Sequence, residues 1–417
     1  MEKIVVEGGK TLQGEVDISV AKNSVLPIMV ASILAEDKVK IKNIPILDDV
    51  IVLCNLLNEL KCYIDISKGD LIIDTSNTKP MDASGKLIRK MSASFLFIGP
   101  MLARFGHCKI SLPGGCNIGS RPIDLHLKGL KALGANINMG HGYVEATANK
   151  LYGSRIYLDF PSVGATENII MAAVLAEGTT VIENAGQEPE ICDLINFLNQ
   201  MGARIEGAGT TKITVRGVKK LKGIEYKPIY DRIEAGTFIV AAAMTNSVIK
   251  LNNINDEYIR PLIEKLKECG IKFNNIGNSI IVDGRGDKKP IDIKTMPYPG
   301  FPTDMQPQIM SLLSIVKGSS IITETVFENR FMHVQELVRL GANIKIDGRT
   351  AFVEGVDKLT GGEVKATDLR AGAAMVLAGL ACDGITAISD IYHIDRGYVN
   401  IEDKFIKLGA NIKRIKM

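Results

Sequence analysis

One thiol in this chain stands apart. Leu112-Pro113-Gly114-Gly115-Cys116-Asn117-Ile118-Gly119-Ser120-Arg121-Pro122 sets Cys116 on a glycine-rich stretch outside any apolar run. Arg121 is near in sequence, and a neighbouring cation favours the thiolate, so Cys116 is the cysteine suited to proton transfer or covalent chemistry. The stretch lacks the spacing and the Lys-Ser/Thr ending of a P-loop, and an ordinary turn is the alternative reading. Cys54, Cys62, Cys192, Cys269 and Cys382 sit in apolar helical patterns, where a thiol is a small buried apolar group. A second set of residues opens apolar helical runs: Lys22-Asn23, Met91-Ser92, Gly164-Ala165-Thr166 after Ser162, Asp231-Arg232, Thr303-Asp304 and Asp368-Leu369-Arg370. Ser, Thr, Asp and Asn at such places cap helices, which accounts for Ser162 and Thr303. It does not account for Lys22, Arg232 or Arg370, because a cation at a helix N-terminus opposes the dipole. With an anion in front, helix N–H groups and side-chain charge cooperate. Asp304 is either a capping carboxylate or a base for a substrate hydroxyl. Arg330 and Arg396 lie in the charged stretches Glu328–His333 and His393–Tyr398 and read as members of surface ion pairs.

The elements that must position these residues repeat. Leu60-Lys61-Cys62, Leu133-Gly134-Ala135, Met201-Gly202-Ala203, Cys269-Gly270-Ile271, Leu340-Gly341-Ala342 and Leu408-Gly409-Ala410 each end a helical pattern and lead into a strand, about 70 residues apart. A second marker keeps the same phase: Ala35-Glu36-Asp37, Arg104-Phe105-Gly106, Ala176-Glu177-Gly178, Thr245-Asn246-Ser247, Val316-Lys317-Gly318 and Cys382-Asp383-Gly384. Each unit has one helix apolar all round, such as Leu26–Leu34, Ala93–Ala103, Asn168–Leu175 or Ile309–Val316, and such helices are buried. The other is amphipathic, as in Asp124–Leu133 with Leu125, Leu127, Leu130 and Leu133 inward. The expected fold is α/β, helices inside and sheets outside, divided after Gly223 into two groups of three units. A linear solenoid is the alternative.

The whole chain narrows the function. A net charge of +3 over 417 residues argues against a nucleic-acid binder, so an anionic ligand must be met by a few placed cations. No Cys/His cluster has metal-ligand spacing, and neither metal nor cofactor is expected. No apolar run reaches the roughly 18 to 20 residues of a membrane span, and the N-terminus lacks a signal-peptide pattern. The expectation is a cytosolic protein without membrane insertion.

With these residues in view the chain resembles the enolpyruvyl transferase family. The matching stretches run from end to end: Ala21-Lys22-Asn23, Leu112–Pro122, Ser162–Thr166, Asp231–Glu234, Phe301–Met305, Thr323–His333, Ala366–Ala371 and Tyr392–Tyr398. The Pro-Gly-Gly-Cys stretch is the most specific, and shikimate-pathway relatives lack it. The resemblance implies an inside-out α/β barrel of two domains with three βαβαββ repeats each. One would hold residues 21–229, the other 1–20 and 230–417, with the active site in the cleft between them. It implies transfer of enolpyruvyl from phosphoenolpyruvate to the 3-hydroxyl of UDP-N-acetylglucosamine, with phosphate released. Cys116 matches the family's acid and Asp304 the group at the attacking hydroxyl. Lys22, Arg121 and Arg396 match cations that hold phosphoenolpyruvate, and Arg370 borders them. Asn23, Pro122, Asp124, Ser162, Val163, Gly164 and Val326, with Asp304, match nucleotide-sugar contacts. Ser92 stands where the family commonly has Arg, and Phe160 where some relatives have Lys. These departures suggest a second possibility, a paralogue that binds the nucleotide sugar without turnover. A shikimate-pathway transferase is the third.

Overall fold

The structure is a computed structural model and describes residues 2–83, 92–112, 118–119 and 123–416. Its contacts divide into two compact units. The N-terminal unit holds residues 20–83, 92–112 and 123–229; the C-terminal unit holds residues 2–19, 118–119 and 230–416. In the N-terminal unit the helices are α1 (Lys22–Ala31), α2 (Asp48–Glu59), α3 (Ile98–Phe105), α4 (Asp124–Ala132), α5 (Val163–Ala173) and α6 (Pro189–Gln200). The C-terminal unit has α7 (Arg232–Met244), α8 (Arg260–Cys269), α9 (Gln306–Leu313), α10 (Val334–Arg339), α11 (Leu369–Ala381), α12 (Tyr392–Asp395) and α13 (Ile401–Lys407).

The α/β expectation holds. Every residue of α7 from Ile233 to Met244 is buried, as is every residue of α11 from Arg370 to Leu380. A helix without a polar face has nowhere else to go. Helices α7, α9 and α11 pack on one another. Phe238 on α7 meets Phe405 on α13 with ring centroids 4.8 Å apart, a contact whose truncation to Ala costs about 3–5 kcal/mol. The strands alternate: in Val248–Asn252 only Ile249 and Leu251 are fully buried, as expected of a sheet with one covered face.

The described strands form six four-stranded sheets, none of which closes on itself. The expected barrel is therefore not a ring of hydrogen-bonded strands. Edge strands as short as Glu225–Tyr226 and Ile293–Lys294 end the ladders. The solenoid alternative fails on strand exchange. Glu2–Glu7 lies between Ile385–Ser389 and Asn411–Lys416, antiparallel to both, and Gln13–Asp17 runs parallel to Val248–Asn252. In the N-terminal unit Glu225–Tyr226 runs parallel to Lys38–Ile41. Strands from distant parts of the chain thus complete sheets in both units, whereas a solenoid repeat touches only its neighbours.

The repeat's glycines end helices in the left-handed region, with φ of 96° at Gly134, 109° at Gly202, 105° at Gly270, 96° at Gly341 and 91° at Gly409. Some expectations change. Helix α5 begins at Val163, ahead of Asn168, and Ala93–Ala103 divides into a 3-10 helix over Ser92–Phe97 followed by α3. Thr303 is not a cap: its hydroxyl donates to Glu324 Oε2 at 3.0 Å instead. Cys54, Cys62, Cys269 and Cys382 are buried, but Cys192 is half-buried. Burial pushes the Cys54 and Cys382 thiols up to about 11, so neither is a nucleophile near neutrality.

Candidate functional site

In the C-terminal unit the residues that open α9 and α11 meet. Asp368 caps α11, its Oδ1 accepting from Arg370 N at 2.9 Å and Ala371 N at 3.1 Å. That cap fixes the backbone from which Arg370 reaches Asp304, donating from Nε at 3.1 Å with Nη2 at 3.0 Å, both to Oδ2. Arg330 Nη2 donates to Asp304 Oδ1 at 3.2 Å. The expectation of a surface ion pair at Arg330 is wrong, because its side chain is only 2% exposed. Local anchors turn its segment inward. Glu324 Oε1 accepts from Val326 N at 2.8 Å and Phe327 N at 3.0 Å, and the Arg330 carbonyl lies 3.1 Å from His333 Nδ1. Through Thr303 and Glu324, the segments carrying Asp304 and Val326 are tied together.

Charge explains the state of Asp304. Its desolvation opposes ionisation, but Arg370, then Arg330 and Arg232, hold the carboxyl well below the usual carboxylate range. His333 is buried, and desolvation pushes it down to about 4. It is therefore neutral near pH 7 and uses its one N–H at Nδ1 to donate to the Arg330 carbonyl. Arg396 follows α12. The preceding Asp395 is gripped by Arg414 through Nη1 at 3.0 Å and Nη2 at 2.7 Å, while Arg414 Nε donates to Glu402 at 2.6 Å.

In the N-terminal unit Lys22 opens α1, whose cap residue Ala21 offers no side-chain acceptor. Its ammonium lies 2.5 Å from Asp49 Oδ2, and both side chains are less than a tenth exposed. Asn23 beside it is exposed. Ser162 caps α5, its hydroxyl accepting from Ala165 N at 3.3 Å. Gly164 leaves room for a neighbour: a Cβ there would stand 3.2 Å from His126 Cε1. Asn168 fixes that histidine. Its Oδ1 accepts from Gly99 N at 2.7 Å and its Nδ2 donates to Phe95 O at 3.0 Å. The same amide nitrogen is 3.0 Å from His126 Nδ1, so Nδ1 is the acceptor and Nε2 carries the proton. Desolvation pushes His126 down to about 4, which keeps the ring neutral. Asp124 stands exposed at the start of α4. Cys116, Arg121 and Pro122 lie outside the described residues.

The structure thus joins Asp304 with Arg370 and sets Val326 on a neighbouring anchored segment. It adds Asp49, His126 and Glu324, which the sequence reading did not single out, and moves Arg330 from the surface to a buried place beside Asp304. A partial signal for Asp49 was its place at the start of an amphipathic helix, where a carboxylate is at home. Nothing local marked Arg330 as a buried partner of Asp304.

A family model described as EPSP synthase (3-phosphoshikimate 1-carboxyvinyltransferase) matches residues 6–405. The chain belongs to this enolpyruvyl transferase family. It is 65% identical to UDP-N-acetylglucosamine 1-carboxyvinyltransferase 1 of Clostridium acetobutylicum, over 100% of both chains. It is 63% identical to UDP-N-acetylglucosamine 1-carboxyvinyltransferase 2 of Clostridium tetani, again over 100% of both. Among solved structures, the enolpyruvyl transferase NikO from Streptomyces tendae matches with a TM-score of 0.90 at 24% identity, covering 100% of this chain and 99% of that one. An EPSP synthase from Acinetobacter baumannii matches at 0.77 with 18% identity over 100% of both. These two share the fold. As an enolpyruvyl transferase the chain is a transferase. Among the described residues no helix is long and apolar enough to cross a membrane.

Proposed function

We propose that this chain transfers the enolpyruvyl group of phosphoenolpyruvate to the 3-hydroxyl of UDP-N-acetylglucosamine and releases phosphate, at the start of peptidoglycan precursor synthesis. End-to-end identity of 65% to a relative of that name carries the choice of acceptor. The EPSP synthases, whose name points to a shikimate acceptor, are 18% and 19% identical.

The chemistry needs one proton delivered and one removed. In our reading the Cys116 thiol gives its proton to the methylene carbon of phosphoenolpyruvate. The sugar hydroxyl oxygen bonds to the adjacent carbon and loses its proton. Breaking the bond from that carbon to the phosphate oxygen expels phosphate, and loss of a proton from the new methyl group restores the double bond. Asp304 is ionised near neutrality and can accept a hydrogen bond from the attacking hydroxyl. The arginines that keep it ionised also make it a weak base. Its first role is therefore to aim the hydroxyl, a positioning effect worth several kcal/mol. Lys22, Arg121 and Arg396 are assigned to phosphoenolpyruvate. Asn23, Pro122, Asp124, Ser162, Val163, Gly164 and Val326 are assigned to the nucleotide sugar, and Arg370 is assigned to the carboxylate fork. A cytosolic setting belongs to the same proposal and agrees with six described cysteines that form no disulfide.

The test is phosphate release with both substrates, with each alone, and with 3-phosphoshikimate as acceptor. Release only with the UDP-sugar and phosphoenolpyruvate together is expected; release with 3-phosphoshikimate instead would overturn the acceptor. Cys116→Asp should keep measurable turnover and resist thiol alkylation. Full turnover by Cys116→Ser would remove the thiol from the acid role.

A further inference from the structure

Behind the carboxylate fork lies a buried hydroxyl network that the proposed reaction has not used. Tyr398 is 2% exposed, and its ring backs the Arg370 guanidinium with 5.5 Å from Cζ to the ring centroid. The Tyr398 hydroxyl is 2.9 Å from Thr237 Oγ1 on α7. Gln308 Nε2 on α9 donates to both, at 3.3 Å to Thr237 and 3.4 Å to Tyr398. Thr237 has a single proton and gives it to Ile233 O at 2.9 Å. It must therefore accept from Tyr398, which fixes the donor direction of the whole network. The tip of the ring cannot swing away from α7 without breaking that bond inside the core.

We infer that Tyr398 is a positioning residue for the proposed transfer: α7 and α9 pin its hydroxyl, and its ring holds the Arg370 guanidinium in the plane from which it grips Asp304. Asp304 constrains the edge of Arg370 and Tyr398 constrains its face. A long side chain with many rotamers is thereby held to one. Tyr398 touches neither reacting atom in this scheme and acts through Arg370. The inference rests on the role proposed for Asp304.

The experiment is steady-state phosphate release with UDP-N-acetylglucosamine and phosphoenolpyruvate. Tyr398→Phe keeps the ring and removes the donor. It should lower kcat by about tenfold, the scale of one buried hydrogen bond, while KM for the UDP-sugar stays within about twofold. Thr237→Val should fall by a similar factor, Thr237→Ser should return close to wild type, and the Tyr398→Phe/Thr237→Val pair should be no worse than either single variant. Wild-type kcat in Tyr398→Phe, or a Thr237→Val defect that Ser does not rescue, overturns the inference. If the wild-type protein itself releases no phosphate, the reaction assignment fails, and the positioning claim is read from stability. Thermal-midpoint shifts of Tyr398→Phe and Asp304→Asn should then combine less than additively, because Tyr398 acts through Arg370 on Asp304. Strictly additive shifts overturn it.

Discussion

Replacing Asp304 by Asn tests the carboxylate fork directly. The Arg330 and Arg370 side chains are 2% and 3% exposed, whereas Asp304 is 29% exposed. Losing one partner of a buried pair costs about 3–5 kcal/mol. Solvent on the Asp304 side screens part of this, so about 2–3 kcal/mol is expected. The Asn amide oxygen still accepts from one guanidinium, but its NH₂ faces the other as donor against donor. Unfolding in urea is the assay, and a thermal scan should fall by roughly 4–12 °C, at 2–4 °C per kcal/mol for a domain of this size. The pH dependence has a definite sign. The folded-state Asp304 is depressed below its ordinary 3.8, so its contribution is complete above that value and is lost as pH falls toward the folded pKa. The gap between wild type and variant should narrow by about 1 kcal/mol from pH 5 to pH 3. Equal stability of the two proteins at pH 7, or a gap that does not narrow in acid, refutes the reasoning.

Lys22→Met should weaken phosphoenolpyruvate saturation and also destabilise the fold, because Asp49 loses its buried partner. Adding Asn at position 49 should restore the urea midpoint but not turnover, which separates the charge's two roles. His333 is buried, and desolvation pushes its folded-state pKa down to about 4 from 6.5. The unfolded chain takes up a proton first, so its contribution to stability is present above pH 6.5 and is lost on acidification toward pH 4. His333→Gln should flatten that part of the stability–pH curve. Gly164→Ala brings a Cβ to 3.2 Å from the His126 ring, and should raise KM for the UDP-sugar several-fold with little change in kcat, read from initial rates.

The repeat was legible because its signals are local. A residue that must take positive φ after a helix leaves a glycine at five of the six marker positions, and Lys61 takes φ of 68° at the remaining one. The fully apolar helices were legible for the same reason, since α7 and α11 have no polar face to offer water. Strand partnership was not legible. Glu2–Glu7 announces a strand, but its choice of Ile385–Ser389 and Asn411–Lys416 depends on which sheet is left open nearly a chain length away. Among the candidate residues, Lys22 in the N-terminal unit and Asp304 and Arg370 in the C-terminal unit drew notice because a charge stands just before an apolar run, where a cation conflicts with the helix dipole. Arg330 did not, because a charged stretch looks the same whether it faces water or folds inward on Glu324 and His333. Thr303 fits a cap by type, yet Glu324 offered its hydroxyl a stronger, charged acceptor.

The same helices that build the core also determine where chemistry can sit. A helix buried on every side can carry a polar group within it only where another buried group meets it, whereas its ends offer free N–H groups and carbonyls as partners. In the C-terminal unit α7, α9 and α11 pack together, and Asp304 feels Arg370, Arg330 and Arg232 at once. The starts of these helices therefore share one electrostatic environment. Two of them are capped by carboxylates, Asp231 on α7 and Asp368 on α11, each accepting two backbone N–H groups. Beside these caps stand Arg232 and Arg370, and both charges favour the ionised form of Asp304. The Arg370 fork then needs lateral support, and Thr237 and Gln308, polar residues inside otherwise apolar helices, supply it through Tyr398. Asp231 and Asp368 thus satisfy helix ends, and Thr237, Gln308 and Tyr398 steady a charge at one.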